Sequence, residues 1–174
     1  MSEDRTGAEA NRTIVERVLK ELIHEDTIAL GAGLPQSLRG LFPRGTTIRS
    51  LDEGGHESPS TEVIVIEADE VSAIGDVVVP GHHSLQLLNG SRVIVATPHN
   101  HSDGQPKLLK ECRSPVTCRR CVEKVITELG VIEICDLGLV LTEVAPGVAT
   151  DEVKIRTGAS LHIADDIRVM ELWD

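Results

Sequence analysis

The chain has 174 residues and a formal charge of −11, and its apolar content of 40% is almost all aliphatic, with one Phe, one Trp and no Tyr. This length suits one domain that buries a core without disulfide or metal support. The negative charge repels phosphate backbones, and the shortage of aromatic rings leaves few surfaces on which bases can stack, so no nucleic-acid partner is expected.

The apolar runs and the first residues of the chain indicate in which cellular compartment the protein is expected. No apolar run approaches the roughly 20 residues that span a bilayer, so no membrane partner is expected. Residues 1–12 lack the apolar core of a secretion signal and are predicted to form a disordered lead. We therefore expect a cytoplasmic protein whose four cysteines stay reduced, with a single domain over residues 13–174.

Hydrophobic periodicity predicts alternating helices and strands over the rest of the chain. In chain order they are a helix over residues 13–24, a strand over 27–30, a short helix over 36–42, strands over 46–50 and 61–68, a short strand in GDVVVPG, a strand over 91–97, a helix over 118–129, strands in VIEIC and LVLTEVAP, a short helix in TDEVKIRTG capped by Thr150 or Asp151, and an edge strand in IRVMELW. This alternation predicts an α/β fold with one open, mostly parallel sheet flanked by helices.

A glycine-rich turn, GAGLP at residues 31–35, follows the first predicted strand. Glycines let the backbone approach a ligand, and a following helix N-terminus attracts anions. A nicotinamide site is excluded because there is no third glycine and no acid at the dinucleotide spacing. The residues alone leave two readings open, a ligand-binding turn and a tight strand-to-helix connection.

Glu53 lies in SLDEGG, directly after the strand predicted over residues 46–50. A desolvated carboxylate can act as a covalent nucleophile toward an acyl donor. Gly54 and Gly55 would let the backbone come close to the substrate. The same composition also suits a solvated turn, so the residues alone do not decide between these roles.

Several of the sulfur and imidazole side chains lie close together in the sequence, with three cysteines in CRSPVTCRRC and two histidines in PHNH. The full set is Cys112, Cys118, Cys121, Cys135, His24, His56, His82, His83, His99, His101 and His162. Of these, Cys118 and Cys121 have the short spacing of a zinc-binding pair, but a structural zinc site needs four ligands. We expect free thiols, exposed loop histidines at 82 and 83, and no metal site.

Basic residues concentrate in KLLKECRSPVTCRRCVEK, residues 107–124. In an acidic protein this stretch could hold phosphates or an acidic partner. The alternative is a solvated helix face.

Three segments resemble the β-subunit of family I (3-oxoacid type) CoA-transferases. They are IVERVLKELIHEDTIALGAGLPQSLRGLFPRGTTIRSLDEGG, RVIVATPHNHSDGQPKLLKECRSPVTCRRCVEKVITELGVIEI and LVLTEVAPGVATDEVKIRTGASLHI, which together cover most of residues 12–163. The resemblance implies an α/β domain that pairs with a related α-subunit, with the active site between them. It also implies acyl-CoA and a small carboxylate as substrates, with coenzyme A as co-substrate and no other cofactor.

The resemblance assigns roles to particular residues. Counted without a gap from residues 31–35, the family's nucleophilic glutamate falls on Glu53, although Asp52-Glu53-Gly54-Gly55 stands where the family has Ser-Glu-Asn-Gly. The implied substrate- and CoA-binding residues are Gly31, Gly33, Leu34, Pro35, Gly54, Gly55 and His99.

Two loops are short compared with the family. Only HESPS separates Gly55 from TEVIVIEA, and HHSLQLLNG replaces a longer glycine-rich loop. Pro98 and Ser102 stand where the family commonly has an acid and a lysine beside His99. The resemblance therefore implies that the nucleophile position is kept while part of the acyl and CoA pocket is missing.

Three functions are open from the sequence. The first, favoured by the spacing of Glu53, is CoA transfer between an acyl-CoA and a small carboxylic acid through a glutamyl-CoA intermediate. The second is a repurposed homo-oligomeric isomerase, cyclase or thioester hydrolase that uses Glu53 as a general base. The third is a degenerate, non-catalytic subunit.

Overall fold

The structure is a computed structural model that describes residues 7–51, 62–81 and 91–173. The helices in these ranges are α1 (Gly7–Leu22), the 3-10 helix Leu34–Leu38 and α2 (Thr150–Ile155). The strands are β1 (Thr27–Leu30), β2 (Thr47–Ser50), β3 (Val63–Ile66), β4 (Glu70–Ser72), β5 (Val77–Val78), β6 (Arg92–Ala96), β7 (Leu108–Leu109), β8 (Val122–Ile126), β9 (Gly130–Cys135), β10 (Gly138–Val144) and β11 (Leu161–Val169).

Eight of these strands form the main sheet, in the order β11-β10-β9-β8-β6-β3-β1-β2. Strands β2, β1, β3, β6 and β8 all run in parallel, β9 is antiparallel to both of its neighbours, and β10 and β11 pair in parallel. The predicted open, mostly parallel sheet is confirmed. The residues that follow the five parallel strands meet at one side of the sheet, which we call the carboxyl edge.

Different layers cover the two faces of this sheet. On one face α1 buries Ile14, Val18 and Leu22, which lie one helical turn apart and pack with apolar side chains of β1, β3 and β6. On the other face lies a small sheet in the order β5-β4-β7, together with Val153 of α2. The central strand β3 is buried at every position, as its continuous apolar sequence predicts.

The helix predicted over residues 118–129 is wrong. Residues 122–126 form β8, which lies between β6 and β9 in the main sheet. The apolar positions Val122, Val125 and Ile126 fit a helical stripe, but β-branched side chains pack well in a strand and the sheet supplies partners on both sides. Fewer helices therefore flank the sheet than the sequence predicts.

Smaller differences concern the ends of elements. Helix α1 already begins at Gly7, so residues 7–12 are helical and not a disordered lead, whereas residues 1–6 lie outside the described ranges. The residue that precedes α2 is Ala149, which makes no side-chain cap, so neither Thr150 nor Asp151 is the cap. The short helix predicted over 36–42 is the 3-10 helix Leu34–Leu38. Strands β4 and β7 have no counterpart in the prediction.

The other strand predictions are confirmed to within a few residues, except the last one. It is predicted in IRVMELW, residues 167–173, whereas β11 spans Leu161–Val169, although it does lie at an edge of the sheet as expected. Within the described ranges, the chain has no helix that combines the length and the apolar character needed to cross a membrane.

Candidate active site

The turn at residues 31–35 contains two glycines. The Gly31 amide donates a hydrogen bond of 2.8 Å to the Val65 carbonyl, which continues the pairing of β1 with β3. A Cβ atom at Gly31 would lie 3.2 Å from the Cγ2 atom of Ile66. Gly33 has φ +82°, a conformation that residues with a Cβ rarely adopt. Gly33 is therefore required by the backbone conformation, whereas a side chain at Gly31 would press against Ile66 and need only a small shift of that residue.

Side chains from two elements hold this turn in place. Gln36 donates from Nε2 to the Gly31 carbonyl at 2.8 Å, and the Leu34 amide donates to Oε2 of Glu67 at 2.9 Å. Among the described residues, the amides of Ala32 and Gly33 have no hydrogen-bond acceptor. The turn thus presents two successive backbone donors that no described residue uses.

A cavity of about 290 Å³ lies against this turn. Its described lining residues are Gly31, Ala32, Gly33, Leu51, Ile66, Glu67, Val79 and Pro80. They supply apolar surface and backbone, with the Glu67 carboxylate as the one charged side chain among them. The predicted residues Gly31 and Gly33 therefore line the cavity, while Leu34 and Pro35 continue the turn behind it and Pro35 is buried.

The end of β2 brings the chain to the same cavity. The Leu51 amide donates to the Leu30 carbonyl at 3.0 Å, and Leu51 lines the cavity. Glu53 follows two residues later. Glu53, Gly54 and Gly55 lie outside the described residues, as do His82 and His83. Their predicted roles stay predictions.

His99 is at the carboxyl edge after β6, but its side chain is enclosed by the protein and only 1% exposed. Its ring nitrogens lie 3.0 Å from Oγ1 of Thr127 and 2.9 Å from Oγ1 of Thr157. Its backbone amide donates to Oε2 of Glu128 at 2.8 Å. Because both ring nitrogens already have partners, the ring offers no atom to a ligand in this conformation, and the geometry lends no support to its predicted substrate contact.

The hydrogen bonds around His99 define its tautomer. The Thr157 hydroxyl donates to the Val153 carbonyl at 2.7 Å, so it accepts from His99 Nε2–H. Nδ1 then accepts from the Thr127 hydroxyl. Burial and, to a smaller extent, the charge of Arg156 lower the pKa of His99 to about 4. His99 is therefore a neutral histidine that ties β6 to β8 and α2.

Lys107 is a second buried polar residue at the carboxyl edge. Its ammonium donates to the Ala68 carbonyl at 3.0 Å and to the Thr97 hydroxyl at 2.7 Å. Burial lowers the pKa of Lys107, and the carboxylates of Glu67 and Asp69 act in the opposite direction. Lys107 thus connects the ends of β3 and β6 and places a positive charge near Glu67.

The other motifs do not form a site among the described residues. All four cysteines are free thiols, and no described group of three or more His, Cys, Asp or Glu side chains could hold a metal ion. The basic stretch 107–124 is not a helix face. Lys107 is buried, and Lys124 donates to Glu21 at 2.6 Å.

A larger groove of about 680 Å³ lies between α1, the loop after β10 and the end of the chain at Trp173. Its arginines are paired within its own walls, Arg12 with Glu16 and Arg156 with Glu152. Among the described residues, none of those predicted for the active site lines this groove.

Sequence reasoning missed Glu67 and the buried position of Lys107. The strand predicted over residues 61–68 places Glu67 inside β3, whereas the strand ends at Ile66. An acid directly after a four-residue, wholly apolar strand was the available signal, because a parallel strand of that kind ends at the carboxyl edge.

Solved structures with this fold have more than one activity. The decarboxylase AibA/AibB matches with a TM-score of 0.69 at 16% identity, covering 94% of this chain and 89% of that one. Glutaconate coenzyme A-transferase from Acidaminococcus fermentans matches with a TM-score of 0.68 at 12% identity, covering 94% and 90%. At these identities the likeness establishes the fold alone, an α/β fold shared with CoA-transferases.

Curated relatives identify the family within that fold. The acetate CoA-transferase subunit beta of Escherichia coli is 26% identical over 208 positions, which cover 91% of this chain and 96% of the relative. The corresponding subunit of Haemophilus influenzae is 32% identical, over 76% of this chain and 65% of the relative. A mitochondrial succinyl-CoA:3-ketoacid coenzyme A transferase of Mus musculus is 32% identical over 70% of this chain, but this chain spans only 25% of its length.

The chain belongs to the family I CoA-transferases, a family of enzymes, and corresponds to their β-subunit. No protein-family model matches it. The 208 aligned positions outnumber the 174 residues of this chain, so the E. coli subunit has segments that are missing here. This agrees with the shortened loops inferred from the sequence.

Proposed function

We propose that the protein transfers CoA between an acyl-CoA and a small carboxylic acid, with Glu53 as the nucleophile. The observation that carries the proposal is the pairing of β2 with β1. It brings Leu51, two residues before Glu53, onto the cavity beside the turn at residues 31–35. Membership of the CoA-transferase family supports CoA transfer in general terms.

The proposed reaction exchanges one activated carboxyl group for another. The Glu53 carboxylate attacks the thioester carbonyl, which releases CoA thiolate and leaves a mixed anhydride. The thiolate then attacks the Glu53 carbonyl, the first acid departs, and a glutamyl-CoA thioester remains. A second carboxylate reverses these steps and leaves as the new acyl-CoA. Each step conserves charge and oxidation state, so coenzyme A is the expected co-substrate and no other cofactor is needed.

The backbone of the turn suits the charge that develops in these steps. The amides of Ala32 and Gly33, for which the described part of the chain supplies no acceptor, border the cavity and can donate to the oxyanion formed when the thioester carbonyl is attacked. Donors fixed by a turn need no reorganisation at that moment. The glycines predicted for substrate binding would therefore act through their backbone.

The partner is proposed to be an α-subunit. Two of the relatives are named as β-subunits, and an active site completed by a second chain would compensate for the shortened loops. A homo-oligomer is the alternative. Native mass spectrometry of the purified protein distinguishes a complex with a second chain from copies of one chain. The predicted cytoplasmic location stays a prediction.

Chemical trapping tests the proposed function. The protein, together with its α-subunit, is incubated with an acyl-CoA and then treated with borohydride or hydroxylamine, and the modified peptide is mapped by mass spectrometry. We expect modification at Glu53 that depends on the acyl-CoA. A fully active complex with no modification at Glu53 would contradict the mechanism.

A second candidate is a repurposed enzyme that uses Glu53 as a general base. One observation favours it, the additional carboxylate of Glu67 on the cavity. The fold accommodates such a change, since a decarboxylase shares it. Turnover of the substrate without any acceptor acid would support this candidate over CoA transfer.

A further inference from the structure

The cavity beside the turn at residues 31–35 combines apolar walls with one carboxylate. Leu51, Ile66, Val79 and Pro80 supply the apolar side chains, and Glu67 is the charged residue among the described lining. A volume of about 290 Å³ is at the lower end of the range for small-molecule sites. It suits a short acyl group rather than a bulky one.

The two oxygens of Glu67 have different surroundings. Oε2 accepts the hydrogen bond from the Leu34 amide at 2.9 Å and lies against Gly33. Oε1 accepts no hydrogen bond from any described residue. Because Glu67 is half-buried and borders the cavity, a ligand that displaces water from the cavity must supply a donor to Oε1 or leave it unsatisfied.

The hydrogen bond from Leu34 also fixes where this charge lies. The carboxylate is anchored to a turn whose backbone Gly33 holds at φ +82°, and Lys107 is bonded to the carbonyl of the next residue, Ala68. The charge is thus built into the wall of the cavity. The Lys107 ammonium is near Glu67 but does not line the cavity and is bonded to the Ala68 carbonyl and the Thr97 hydroxyl, so a second carboxylate brought into the cavity would meet the like charge of Glu67 first.

We propose that Glu67 determines substrate specificity, favouring short acyl groups that carry an uncharged hydrogen-bond donor such as a hydroxyl and disfavouring acyl groups that carry a second carboxylate. This inference rests on the proposed function, since it assigns the acyl group to this cavity. A site built around one polar group rejects ligands that cannot pair with it by one or more orders of magnitude.

The test measures dissociation constants and kcat/KM of the protein with its α-subunit for 3-hydroxybutyryl-CoA, butyryl-CoA and succinyl-CoA. We expect at least about tenfold preference for the hydroxylated acyl group over butyryl-CoA and weaker binding still of succinyl-CoA. Glu67→Gln keeps an oxygen for the Leu34 amide but turns the NH2 group of its carboxamide, a hydrogen-bond donor, toward the cavity. We expect it to abolish the hydroxyl preference and to raise affinity for succinyl-CoA about tenfold.

Asp69→Asn is the matched control. Asp69 is a half-buried carboxylate two residues further on that also acts on the pKa of Lys107, but it does not line the cavity. We expect this variant to keep the wild-type order of the three substrates.

Two other outcomes would overturn this inference, and a third would overturn the proposed function on which it rests. Equal affinities of the wild type for butyryl-CoA and succinyl-CoA would remove the selectivity. An equal loss for all three substrates in Glu67→Gln would place the donor on the pantetheine arm of CoA instead of the acyl group. A wild type that neither binds nor turns over any of the three would count against CoA transfer itself, which separates failure of the proposed function from failure of this inference.

Discussion

Two regions of the carboxyl edge, both built from residues that follow parallel strands, differ in how their polar groups are satisfied. After β6 and β8, the His99 ring bonds the hydroxyl of Thr127 and that of Thr157, which follows α2, inside the protein. After β1 and β3, the amides of Ala32 and Gly33 and one oxygen of Glu67 have no described partner and border a cavity. The first region stabilises the fold. The second region offers two hydrogen-bond donors and one acceptor to a ligand in the cavity.

This difference shows that a residue's type and its position at the carboxyl edge do not suffice to assign it a catalytic or binding role. Histidine is the side chain most often used in acid–base catalysis, yet both ring nitrogens of His99 are hydrogen-bonded to neighbouring hydroxyls. Glycines and a glutamate, which are ordinary turn residues, leave donors and an acceptor available. Unsatisfied polar groups beside a cavity are the better guide to the site.

Glu53→Gln is expected to have the largest effect, because it removes the proposed nucleophile of the cavity region. We expect the CoA-transfer rate to fall by about a thousandfold or more, with little change in the free energy of unfolding. The measurement is acyl-CoA formation from a second carboxylic acid. Glu57→Gln, a carboxylate in the same segment, is the control and should stay active. Comparable losses in both variants would argue that the segment, and not Glu53, matters.

Gly33→Ala is expected to disturb the cavity region next most strongly. The new Cβ would have φ +82° and would collide with Oε2 of Glu67, breaking its bond to the Leu34 amide. We expect a loss of about 2–3 kcal/mol in the free energy of unfolding, measured by denaturant titration.

Gly40→Ala is the matched control for that substitution. Gly40 has φ +80°, but a Cβ atom added there would meet no other atom within 4 Å, so only the conformational cost of about 1 kcal/mol applies. Equal losses in the two variants would mean that the contact with Glu67 contributes nothing to the turn.

His99 should make the stability of the other region depend on pH. Its pKa is about 4 in the folded protein against an ordinary value of 6.5, so between these values the unfolded chain binds the proton more readily. The stabilisation is complete above pH 6.5 and is lost as the pH falls toward 4, by up to about 3 kcal/mol. Urea unfolding from pH 7.5 to 4.5 measures it.

His99→Gln should show a smaller loss of stability over that pH range than the wild type. His162→Gln, which alters an exposed histidine, should follow the wild type. Parallel pH dependence of the wild type and His99→Gln would show that His99 is not the neutral, enclosed residue described above.

Thr157→Val is expected to have the smallest effect. It removes the acceptor of His99 Nε2–H while nearly keeping the shape of the side chain, and it leaves a buried donor unsatisfied. We expect a loss of about 1–2 kcal/mol in unfolding free energy and unchanged kcat/KM. Thr157→Ser retains the hydroxyl and should lose less. A specific fall in kcat/KM in Thr157→Val would assign the His99 region to the active site after all.

The sequence predicts most of the sheet because strands such as β3, which is wholly apolar, and β6, which is apolar after Arg92, are short runs bounded by turn residues. It mispredicts β8 because Val122, Val125 and Ile126 fit the period of a helix as well as that of a strand, and only the neighbours β6 and β9 decide between them. Strands β4 and β7 are too short to leave a periodic signal.

For the candidate site, the sequence predicts the turn at residues 31–35, and the structure shows that this turn borders the cavity. It does not predict that His99 is enclosed, because Thr127 and Thr157 lie far along the chain and meet it only through the sheet and α2. The sequence does not predict a role for Glu67, because the residues around it do not show that the turn after β1 packs against the end of β3.

Hydrogen exchange measured by mass spectrometry compares the two regions most directly. The protein with the proposed α-subunit is exchanged with and without a bound acyl-CoA, and peptides from both regions are followed. We predict slower exchange in residues 30–36, where the amides of Ala32 and Gly33 gain an acceptor, and no change in residues 97–101 and 153–158. Slower exchange around His99 with no change in residues 30–36 would contradict the assignment of the active site to the cavity beside β1 and β3.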